Sequence, residues 1–589
     1  MLGKYFFQKK QGHFYRPGEE IYIDENKGFI VDDSISSIKI RILIAVSAFI
    51  FIFSSLVFRL FDLCVIQGND ITSSTHYTSN DNIVDDVMDH ISLSIKRADI
   101  LDRNGTIIAT SLPTVHLHAN ASKIKNKKET ADQLAAILTD VPYETILHKL
   151  QSNRKFIYIK RNLSPSQQYQ INALGNPWLE FEKSEKRIYP HKNLFSHIIG
   201  FTNIDNAGVS GLEKYLDDRL TQSDIPLNLT IDVGLQDTIR SALLDAVNEY
   251  RANGASAILM DVRSGEILSM ISLPDFDPNS LNDVSDKAKF NFSTTGVYEP
   301  GSVLKIFNAA MGLETGKVKL SDKFDATKPL KLKHNTIKDY RGENRWLDLS
   351  EILIYSSNIG SAHIALKVGK KDQRNFLENL GFFKPISSIE VPEKATPIIP
   401  SEKRWSESTT ATVGYGYGIS VTPLHLISAF SSVVNGGIYF PPTLVQQENK
   451  QEPHRTLSQK TSMQMRSLLR GVVTDGSGKR ANITGYEVAG KTGTAEKLIK
   501  GKYIDKKVAT SFLATFPASD PQYALFLMLD EPKATKDTYG FVTSGWNTVP
   551  TAGKIITSIA PQLGLLANED LYESRKDRII NAAYAVRKK

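Results

Sequence analysis

An uncharged apolar segment near the N-terminus is the feature that most limits what this chain can form. Residues 42–58 carry no charged side chain, and apolar character resumes between Leu60 and Ile66. A stretch of this length suits one helix across a bilayer. About forty residues precede it, whereas a cleaved signal peptide starts with a short basic region and ends at a small-residue cleavage site. We therefore predict an uncleaved transmembrane anchor at residues 38–66.

The charges that flank the anchor predict its orientation. Lys27, Lys39 and Arg41 lie on the N-terminal side of its uncharged core at residues 42–58, whereas residues 60–78 contain no lysine or arginine. Because basic residues concentrate on the cytoplasmic side of membrane helices, the N-terminus is predicted to be cytoplasmic and most of the chain to lie across the membrane. Residues 1–37 mix charges without periodicity, which favours a cytoplasmic tail that is flexible when alone.

The composition of the whole chain is that of a globular protein. Hydrophobic residues make up 41% of its 589 residues and charged residues 23%, which excludes intrinsic disorder and a protein with many membrane spans. A net charge of +7 without a dense basic block argues against a nucleic-acid partner. Cys64 is the only cysteine, which excludes an intramolecular disulfide and a cysteine-based metal site.

The region after the anchor divides into a smaller and a larger part. Between residues 67 and 225, short apolar stretches such as residues 156–159 alternate with helical patterns such as residues 129–138. This mixture predicts a first α+β module that ends near residues 221–232. A charged C-terminal tail is expected at residues 571–589.

The larger part, residues 226–570, has strand patterns at both ends and a mostly helical middle. Residues 255–262 and 266–271 are apolar runs joined by a short turn sequence, and residues 510–516 and 523–529 form a similar pair. Both pairs indicate β-hairpins. Strands at the extremes with helices between them predict an antiparallel sheet made from both ends of the domain, with helices packed on its faces.

A serine and a lysine three residues apart form the first candidate catalytic motif. Ser302 and Lys305 follow the turn sequence of residues 298–301 and open an apolar helical pattern. On one helix face, a buried neutral lysine can remove the serine proton, and the positive helix end favours the alkoxide that forms. The same spacing at residues 36–39 and 122–125 lacks the turn and the helix, so we interpret those matches as chance.

Two further motifs carry polar groups suited to acyl transfer. In Ser356-Ser357-Asn358, between two short helical patterns, Ser356 can relay a proton and Asn358 can hold a substrate carbonyl. The alternative interpretation of this motif is a helix cap. Residues 491–494 are predicted to form a strand in which Lys491 and Gly493 share a face, so that an extended peptide can lie beside the glycine.

The amides of Ser302 and Thr494 could form an oxyanion hole. The three motifs occur in the order found in penicillin-interacting serine enzymes, with Ser-Asp-Asn relaxed to Ser-Ser-Asn. With them the chain resembles the class B penicillin-binding proteins, which are peptidoglycan D,D-transpeptidases. The match extends to the motif that follows the anchor in this family, at residues 97–105, although Ala98 replaces its usual glycine. Residues 298–302 and 414–423 also match the family. Three further segments look like the division-specific FtsI type, namely residues 199–205, 211–214 and 491–495.

The resemblance implies a fold and a set of roles. The fold would be α+β, with one transmembrane helix, an elongated pedestal at residues 67–225 and the penicillin-binding transpeptidase domain at residues 226–570. Ser302 would attack the penultimate D-Ala carbonyl of a stem peptide, with Lys305 as base. The remaining roles would be proton relay by Ser356, donor binding by Asn358, and binding of the terminal carboxylate by Lys491, Thr492 and Thr494 beside Gly493. No metal or cofactor is implied.

The resemblance also implies partners, and it leaves alternatives. The expected partners are nascent stem peptides, β-lactams as inhibitors, an FtsW-type glycan polymerase and other division proteins at a bacterial inner membrane. The catalytic domain would be periplasmic. An elongation-specific class B transpeptidase, a membrane-bound β-lactam sensor or β-lactamase, and a purely structural division scaffold remain open.

Overall fold

The computed structural model describes residues 96–567, except residues 334, 447–451 and 500–501, together with short stretches between residues 14 and 55. The chain forms two compact units, residues 1–93 and residues 94–589. The first unit contains strands β1 (Phe14–Arg16), β2 (Glu19–Asp24) and β3 (Gly28–Val31). They pair antiparallel in chain order, as strands close in sequence commonly do. This small sheet was not predicted, because the tail sequence shows no clear alternation.

Most of the predicted anchor lies outside the described residues. The positions of residues 38–66 that the structure describes, namely 47, 50–51 and 53–55, are helical. Within the described part of the chain, no helix combines the length and the apolar character needed to cross a membrane.

The first module of the second unit is α+β, as predicted. The strand pattern at residues 156–159 corresponds to β6 (Ile157–Leu163), and the helix pattern at residues 129–138 corresponds to α1 (Lys127–Ile137). Its strands are β4 (Ile100–Leu101), β5 (Ile107–Ala119), β6 (Ile157–Leu163) and β7 (Leu179–Ile188). Its helices are α1 (Lys127–Ile137), α2 (Tyr143–Gln151), α3 (Pro165–Asn172), α4 (Ser196–Ile199), α5 (Gly211–Tyr215) and α6 (Asp217–Gln222). Strand β5 pairs with β4, β6 and β7, and buried Leu117, Leu134 and Ile159 form a core beneath this sheet.

A buried ion network connects distant parts of this module. Glu213 is fully buried and accepts hydrogen bonds from Arg97 Nε at 2.6 Å and from Arg187 Nε at 2.7 Å. Arg97 also donates to Asp217 at 2.6 Å. Two buried guanidinium groups therefore share one buried carboxylate, which ties the chain before β4 to β7 and α5.

The two modules of the second unit share backbone pairing and core. Strand β8 (Leu227–Asn228) follows the predicted boundary at residue 225, yet it pairs in parallel with β4. Buried residues of the first module, including Ile100 and Ile108, belong to the same core cluster as Ile258 and Val303 of the second. The chain therefore crosses this boundary without a free linker.

The larger module contains the predicted antiparallel sheet. Its strands are β9 (Gly254–Asp261), β10 (Ile267–Leu273), β17 (Ala489–Ile499), β18 (Lys502–Phe516) and β19 (Tyr523–Asp530). They lie in the order β10-β9-β19-β18-β17, and every neighbouring pair is antiparallel. Both predicted hairpins are confirmed, and β9 pairs with β19, so the two ends of the domain meet in the middle of the sheet.

Shorter strands lie in the loops around this sheet. They are β11 (Lys323–Asp325), β12 (Leu330–Leu332), β13 (Asn335–Ile337), β14 (Trp346–Asp348), β15 (Ile438–Tyr439) and β16 (His454–Arg455). The helices are α7 (Val233–Glu249), α8 (Asp286–Lys289), α9 (Leu304–Glu314), α10 (Leu349–Ile354), α11 (Asn358–Val368), α12 (Lys370–Asn379), α13 (Glu407–Gly414), α14 (Pro423–Val434), α15 (Gln459–Thr474) and α16 (Thr548–Ile559).

Helices cover both faces of the sheet. Alternate residues of β9 face opposite sides, since Ile258 belongs to one core and Leu259 to the other. Helices α7 and α16 contribute to the core that contains Leu259, whereas α9, α14 and α15 contribute to the core that contains Ile258. Helix α9 is thereby buried, and the residues that begin it are held rigidly beside the edge strand β17.

Candidate active site

Ser302 lies in a tight turn that leads directly into the buried helix α9. Residues Gly301–Val303 form one turn of 3-10 helix, and α9 begins at Leu304. The sequence predicted a helix N-terminus at Ser302, and the structure agrees to within one turn. Apolar side chains of α9 such as Phe307 are fully buried, which fixes the direction of the turn.

Lys305 is buried, and its amine lies among four oxygen atoms. Nζ is 3.1 Å from Ser302 Oγ and 3.1 Å from Ser356 Oγ. It is also 2.5 Å from the Ser356 carbonyl oxygen and 2.7 Å from Asn358 Oδ1. The first and second sequence motifs therefore meet at this one nitrogen.

The second motif forms a strained connection between α10 and α11. Ser356 has a φ of 57°, in the left-handed region that residues other than glycine seldom adopt. This conformation is consistent with the contact of both its carbonyl oxygen and its hydroxyl with Lys305. Ser357 caps α11 by accepting a hydrogen bond from the Gly360 amide. The helix-cap interpretation thus holds for Ser357, while Ser356 and Asn358 face the lysine.

Lys491 approaches the same hydroxyl from the sheet. It is fully buried on β17, and its Nζ lies 3.0 Å from Ser356 Oγ. The Ser356 hydroxyl therefore lies between two lysine amines. The three motifs, which are far apart in the sequence, form one continuous set of hydrogen bonds.

Asp339 is a functional-site residue that sequence reasoning missed. Its carboxylate, in the loop after β13, accepts hydrogen bonds from Ser357 Oγ at 2.7 Å and from the amides of Asn358 and Ile359. A carboxylate at a helix N-terminus is favourable because it satisfies free amide groups. Asp339 thus fixes the start of α11. No motif surrounds it, so the sequence offered no signal for it.

Burial lowers the pKa of both lysines. The pKa of Lys305 lies well below 10.5, chiefly because of desolvation and also because Lys491 repels its charge, while Asp339 opposes the shift. Desolvation lowers the pKa of Lys491 to about 7. Desolvation and the repulsion of Lys491 both act on Lys305, whereas desolvation alone acts on Lys491, so we assign the neutral amine to Lys305 and the remaining proton of the pair to Lys491.

A neutral Lys305 fits the atoms that surround it. It has two N–H donors and one lone pair. The Ser356 carbonyl and Asn358 Oδ1 can only accept, and together they use both donors. The lone pair is then available to a hydroxyl proton, and Ser302 Oγ lies at hydrogen-bonding distance.

The threonines of the third motif contact neighbouring loops. Thr492 Oγ1 lies 2.6 Å from Ser477 Oγ and 3.5 Å from Lys491 Nζ. Thr494 Oγ1 accepts a hydrogen bond from the Ser544 amide at 3.2 Å. The Thr492 hydroxyl therefore borders the amine of Lys491 and provides a donor beside a positive charge.

The backbone of Thr494 lies against the turn that carries Ser302. A Cβ atom built on Gly301 would come within 3.0 Å of the Thr494 carbonyl oxygen. The oxyanion hole formed by the amides of Ser302 and Thr494 remains a prediction. Among the described residues, no group of three or more His, Cys, Asp or Glu side chains is arranged to hold a metal ion.

Comparison with known proteins identifies the family. The penicillin binding protein transpeptidase domain matches residues 255–545, which include all three motifs, and the Penicillin-binding Protein dimerisation domain matches residues 93–225. The probable peptidoglycan D,D-transpeptidase FtsI of Caulobacter vibrioides is 35% identical over 490 residues, which cover 81% of this chain and 82% of that relative. The chain belongs to the class B penicillin-binding proteins.

Other penicillin-binding proteins match along most of their length. The probable peptidoglycan D,D-transpeptidase PenA of Neisseria meningitidis is 31% identical, covering 77% of this chain and 83% of the relative. The peptidoglycan D,D-transpeptidase FtsI of Escherichia coli is 28% identical, covering 83% and 87%. Penicillin binding protein 3 of Mycobacterium tuberculosis, solved with aztreonam, has the same fold, with a TM-score of 0.65 and 22% identity over 81% of this chain and 98% of that one.

In this class B penicillin-binding protein, close packing explains why residue 493 is glycine, whereas the sequence analysis explained it by the space that a peptide needs. A Cβ atom at this position would lie 2.4 Å from Ser511 Oγ, 2.8 Å from Val303 Cγ2 and 3.1 Å from the Pro300 carbonyl oxygen. The space that a side chain at this position would need is thus filled by Ser511 and by the turn that carries Ser302. A role of Gly493 in substrate binding stays a prediction.

We expect Gly493→Ala to slow acylation by penicillin, because the new methyl group must push the Ser302 turn away from β17. Overpacking of this kind costs about 1–3 kcal/mol. The rate of acylation and the melting temperature should both fall. Gly471→Ala is the matched control, because a Cβ atom on Gly471 would make only ordinary contacts of 3.5 Å or more, and it should leave the acylation rate unchanged. Equal acylation rates in wild type and Gly493→Ala would contradict the expectation.

Proposed function

We propose that this chain is a peptidoglycan D,D-transpeptidase that cross-links stem peptides through an acyl-enzyme on Ser302. The observation that carries the proposal is the unbroken set of contacts from Ser302 through Lys305 and Ser356 to Lys491. Such an arrangement suits a serine acyltransferase, because a neutral amine activates the nucleophile and a second hydroxyl can relay the proton. The names of the relatives from Caulobacter and Escherichia coli support the same reaction.

Acylation begins with proton transfer from Ser302 to Lys305. Ser302 Oγ then attacks the penultimate D-Ala carbonyl of the donor peptide, and the carbonyl oxygen gains negative charge. The amides of Ser302 and Thr494 are the donors proposed to stabilise that charge. The proton passes from Lys305 through the Ser356 hydroxyl to the leaving nitrogen, and terminal D-Ala departs.

Positioning of the donor peptide uses the third motif and Asn358. Protonated Lys491, with Thr492 and Thr494, binds the terminal carboxylate as a charge-assisted hydrogen-bonding site. Asn358 Oδ1 is engaged by Lys305, and one N–H of its amide donates to the Lys338 carbonyl at 2.9 Å. An amide nitrogen has two donors, so the second remains for a substrate carbonyl.

The second half of the reaction transfers the acyl group to an amine of a neighbouring stem peptide. The amine attacks the Ser302 ester, its proton leaves through Ser356 and Lys305, and the Ser302 hydroxyl is restored. The energy comes from the peptide bond broken in the first step, so the reaction as proposed uses no nucleotide.

The proposed reaction requires that water be a poor acceptor. Efficient hydrolysis needs a carboxylate that activates water, as the glutamate of class A β-lactamases does. Here Glu351 pairs with Arg345 at 2.7 Å and caps α10. Asp339 already accepts three hydrogen bonds. Both carboxylates are therefore occupied.

We expect the penicilloyl ester on Ser302 to persist much longer than it takes to form. Mass spectrometry should find about one penicilloyl group per chain, and a chromogenic cephalosporin should be consumed in a single stoichiometric burst. Wild type and Ser302→Ala should differ completely in this assay. Hydrolysis of many equivalents per molecule would favour the β-lactamase alternative over the transpeptidase.

The proposal extends to location and partners. The uncharged segment at residues 42–58, with Lys39 and Arg41 before it, supports a single-pass anchor in the bacterial inner membrane with a periplasmic catalytic domain. The FtsI names of two relatives support a septal role over elongation. An FtsW-type glycan polymerase is the proposed membrane partner, and Ser47, Ser54 and Ser55 offer small side chains for helix packing.

Exchange of residues 42–66 for an unrelated apolar span should separate tethering from partner contact. We expect penicillin acylation to be unchanged, because the catalytic residues lie in another unit of the chain. Septal localisation should be lost or strongly reduced. Fluorescence microscopy of the tagged chain in dividing cells measures this, and full complementation of division by the exchanged chain would contradict the proposed partner.

A further inference from the structure

Two loops beside the catalytic motifs contact each other through an arginine and a phenylalanine. The first loop follows β13 and contains Arg341, and the second follows β19 and contains Phe541. The guanidinium carbon of Arg341 lies 5.4 Å from the centre of the Phe541 ring, which is a cation–π contact. Neither side chain has a role in the reaction described above.

The two loops belong to opposite walls of the active site. In the first loop, the Lys338 carbonyl accepts a hydrogen bond from the Asn358 side chain at 2.9 Å. In the second loop, the Ser544 amide donates to Thr494 Oγ1 at 3.2 Å. The contact between the loops therefore joins the two walls of the space in which the donor peptide is proposed to lie.

Stacked rings hold the phenylalanine in place. The rings of Phe541 and Trp546 are nearly parallel, with an interplanar angle of 14° and a centroid distance of 5.4 Å. Trp546 is itself covered by the Arg480 guanidinium, whose carbon lies 3.6 Å from the ring centre. Because a planar guanidinium stacks well on an aromatic face, Phe541 positions Arg341 before any ligand binds.

No carboxylate of the described part of the chain forms an ion pair with Arg341. Asp339, two residues earlier, already accepts three hydrogen bonds at the start of α11. Glu343, two residues later, faces Arg345 at 3.8 Å. The side chain of Arg341 is exposed. A positioned guanidinium of this kind is suited to binding a carboxylate from a ligand.

We propose that Arg341 determines specificity by binding a carboxylate on the acyl side chain of the donor or of a β-lactam. The inference rests on the proposed transpeptidase function and adds an anion site separate from Lys491, which takes the terminal carboxylate. The substrate carbonyl that binds Asn358 belongs to the residue before the penultimate D-Ala. That residue then lies beside the Lys338 carbonyl, on the loop that carries Arg341.

Three penicillins that differ in one group test this proposal. In a penicillin the β-lactam carbonyl takes the place of the scissile carbonyl, so the acylamino side chain takes the place of the residue before it. The side chain of benzylpenicillin is uncharged, carbenicillin adds a carboxylate to it, and ampicillin carries an amine on the same carbon. The second-order rate of Ser302 acylation is measured for each by competition with a fluorescent penicillin.

For Arg341→Gln we expect the rate with carbenicillin to fall about tenfold relative to benzylpenicillin, the effect of losing one charge-assisted pair. The rate with ampicillin relative to benzylpenicillin should not fall, because an amine gains nothing from a guanidinium. Arg341→Lys keeps the charge without the planar fork and should lose less. A purely structural role would change all three rates by the same factor.

Arg345→Gln is the matched control in the same loop. The Arg345 guanidinium also lies over a ring, that of Tyr355 at 5.6 Å, but it pairs with Glu351, so the carbenicillin ratio should keep its wild-type value. Arg341 and Arg345 are both exposed, so the variants should fold. An unchanged ratio in Arg341→Gln, or equal losses with all three penicillins, would overturn this inference alone. A wild-type chain that no penicillin acylates would overturn the proposed function itself.

Discussion

Replacing Lys305 with arginine should abolish acylation of Ser302 by penicillin. The buried amine can act as a base only because its pKa is strongly lowered, and a guanidinium keeps its proton in any protein environment. Arginine therefore preserves the positive charge while removing the base. Loss of a general base typically slows a reaction by roughly a hundred- to ten-thousandfold, and we expect a reduction in that range in the acylation rate.

Fluorescent penicillin labelling and mass spectrometry measure this loss. Ser302→Ala sets the background, since it removes the nucleophile. Lys317→Arg is the matched control, because Lys317 lies at the surface and pairs with Asp372, where arginine serves equally well. Labelling of Lys305→Arg at the wild-type rate, or an adduct on Ser356, would show that the assignment of base and nucleophile is wrong.

Replacing Glu213 with glutamine should destabilise the second unit by about 3–5 kcal/mol, the cost of breaking a buried ion pair. Glutamine has nearly the same shape, so packing is retained. The loss arises because Arg187 would remain charged and buried without its carboxylate partner, while Arg97 would keep only the carboxylate of Asp217. Such a loss is a large part of the stability of an ordinary domain.

Urea unfolding of the purified full chain in detergent tests this expectation, with the midpoint concentration as the readout. Glu180→Gln is the control, since Glu180 is exposed and its contact with a histidine nitrogen is long, at 3.9 Å. Exposed pairs contribute about 0–1 kcal/mol, so the control should unfold with the wild type. If both variants unfold at the same urea concentration, the buried network does not stabilise the fold as we infer.

The parts of the fold that the sequence predicted well depend on local pattern. Both hairpins of the large sheet were predicted, because apolar runs and turn residues lie next to each other in the chain. The turn and helix around Ser302 were predicted for the same reason. Local periodicity did not predict the sheet at β1–β3, where the strands are short and their alternation is weak.

The parts that were missed depend on contacts between distant residues. Asp339 lies in a loop with no motif, and only the folded chain brings it to the amides of Asn358 and Ile359. The packing of Gly493 against Val303 and Ser511 was also missed, because it becomes visible only when β17, β18 and the nucleophile turn are packed together. Sequence spacing indicates which residues share a helix or a strand. It does not indicate which residues from distant parts of the chain pack against them.

The central position of β9 and β19 has a consequence for biogenesis. Their paired residues are 262 to 276 positions apart in the chain, and contacts of such long range form late because a large loop must close first. Nearly the whole transpeptidase module must therefore be synthesised before its sheet can close. During export, the unfinished module would expose β9 and its apolar surface to aggregation or to chaperones. A chain that binds penicillin has therefore already placed β19 in the sheet.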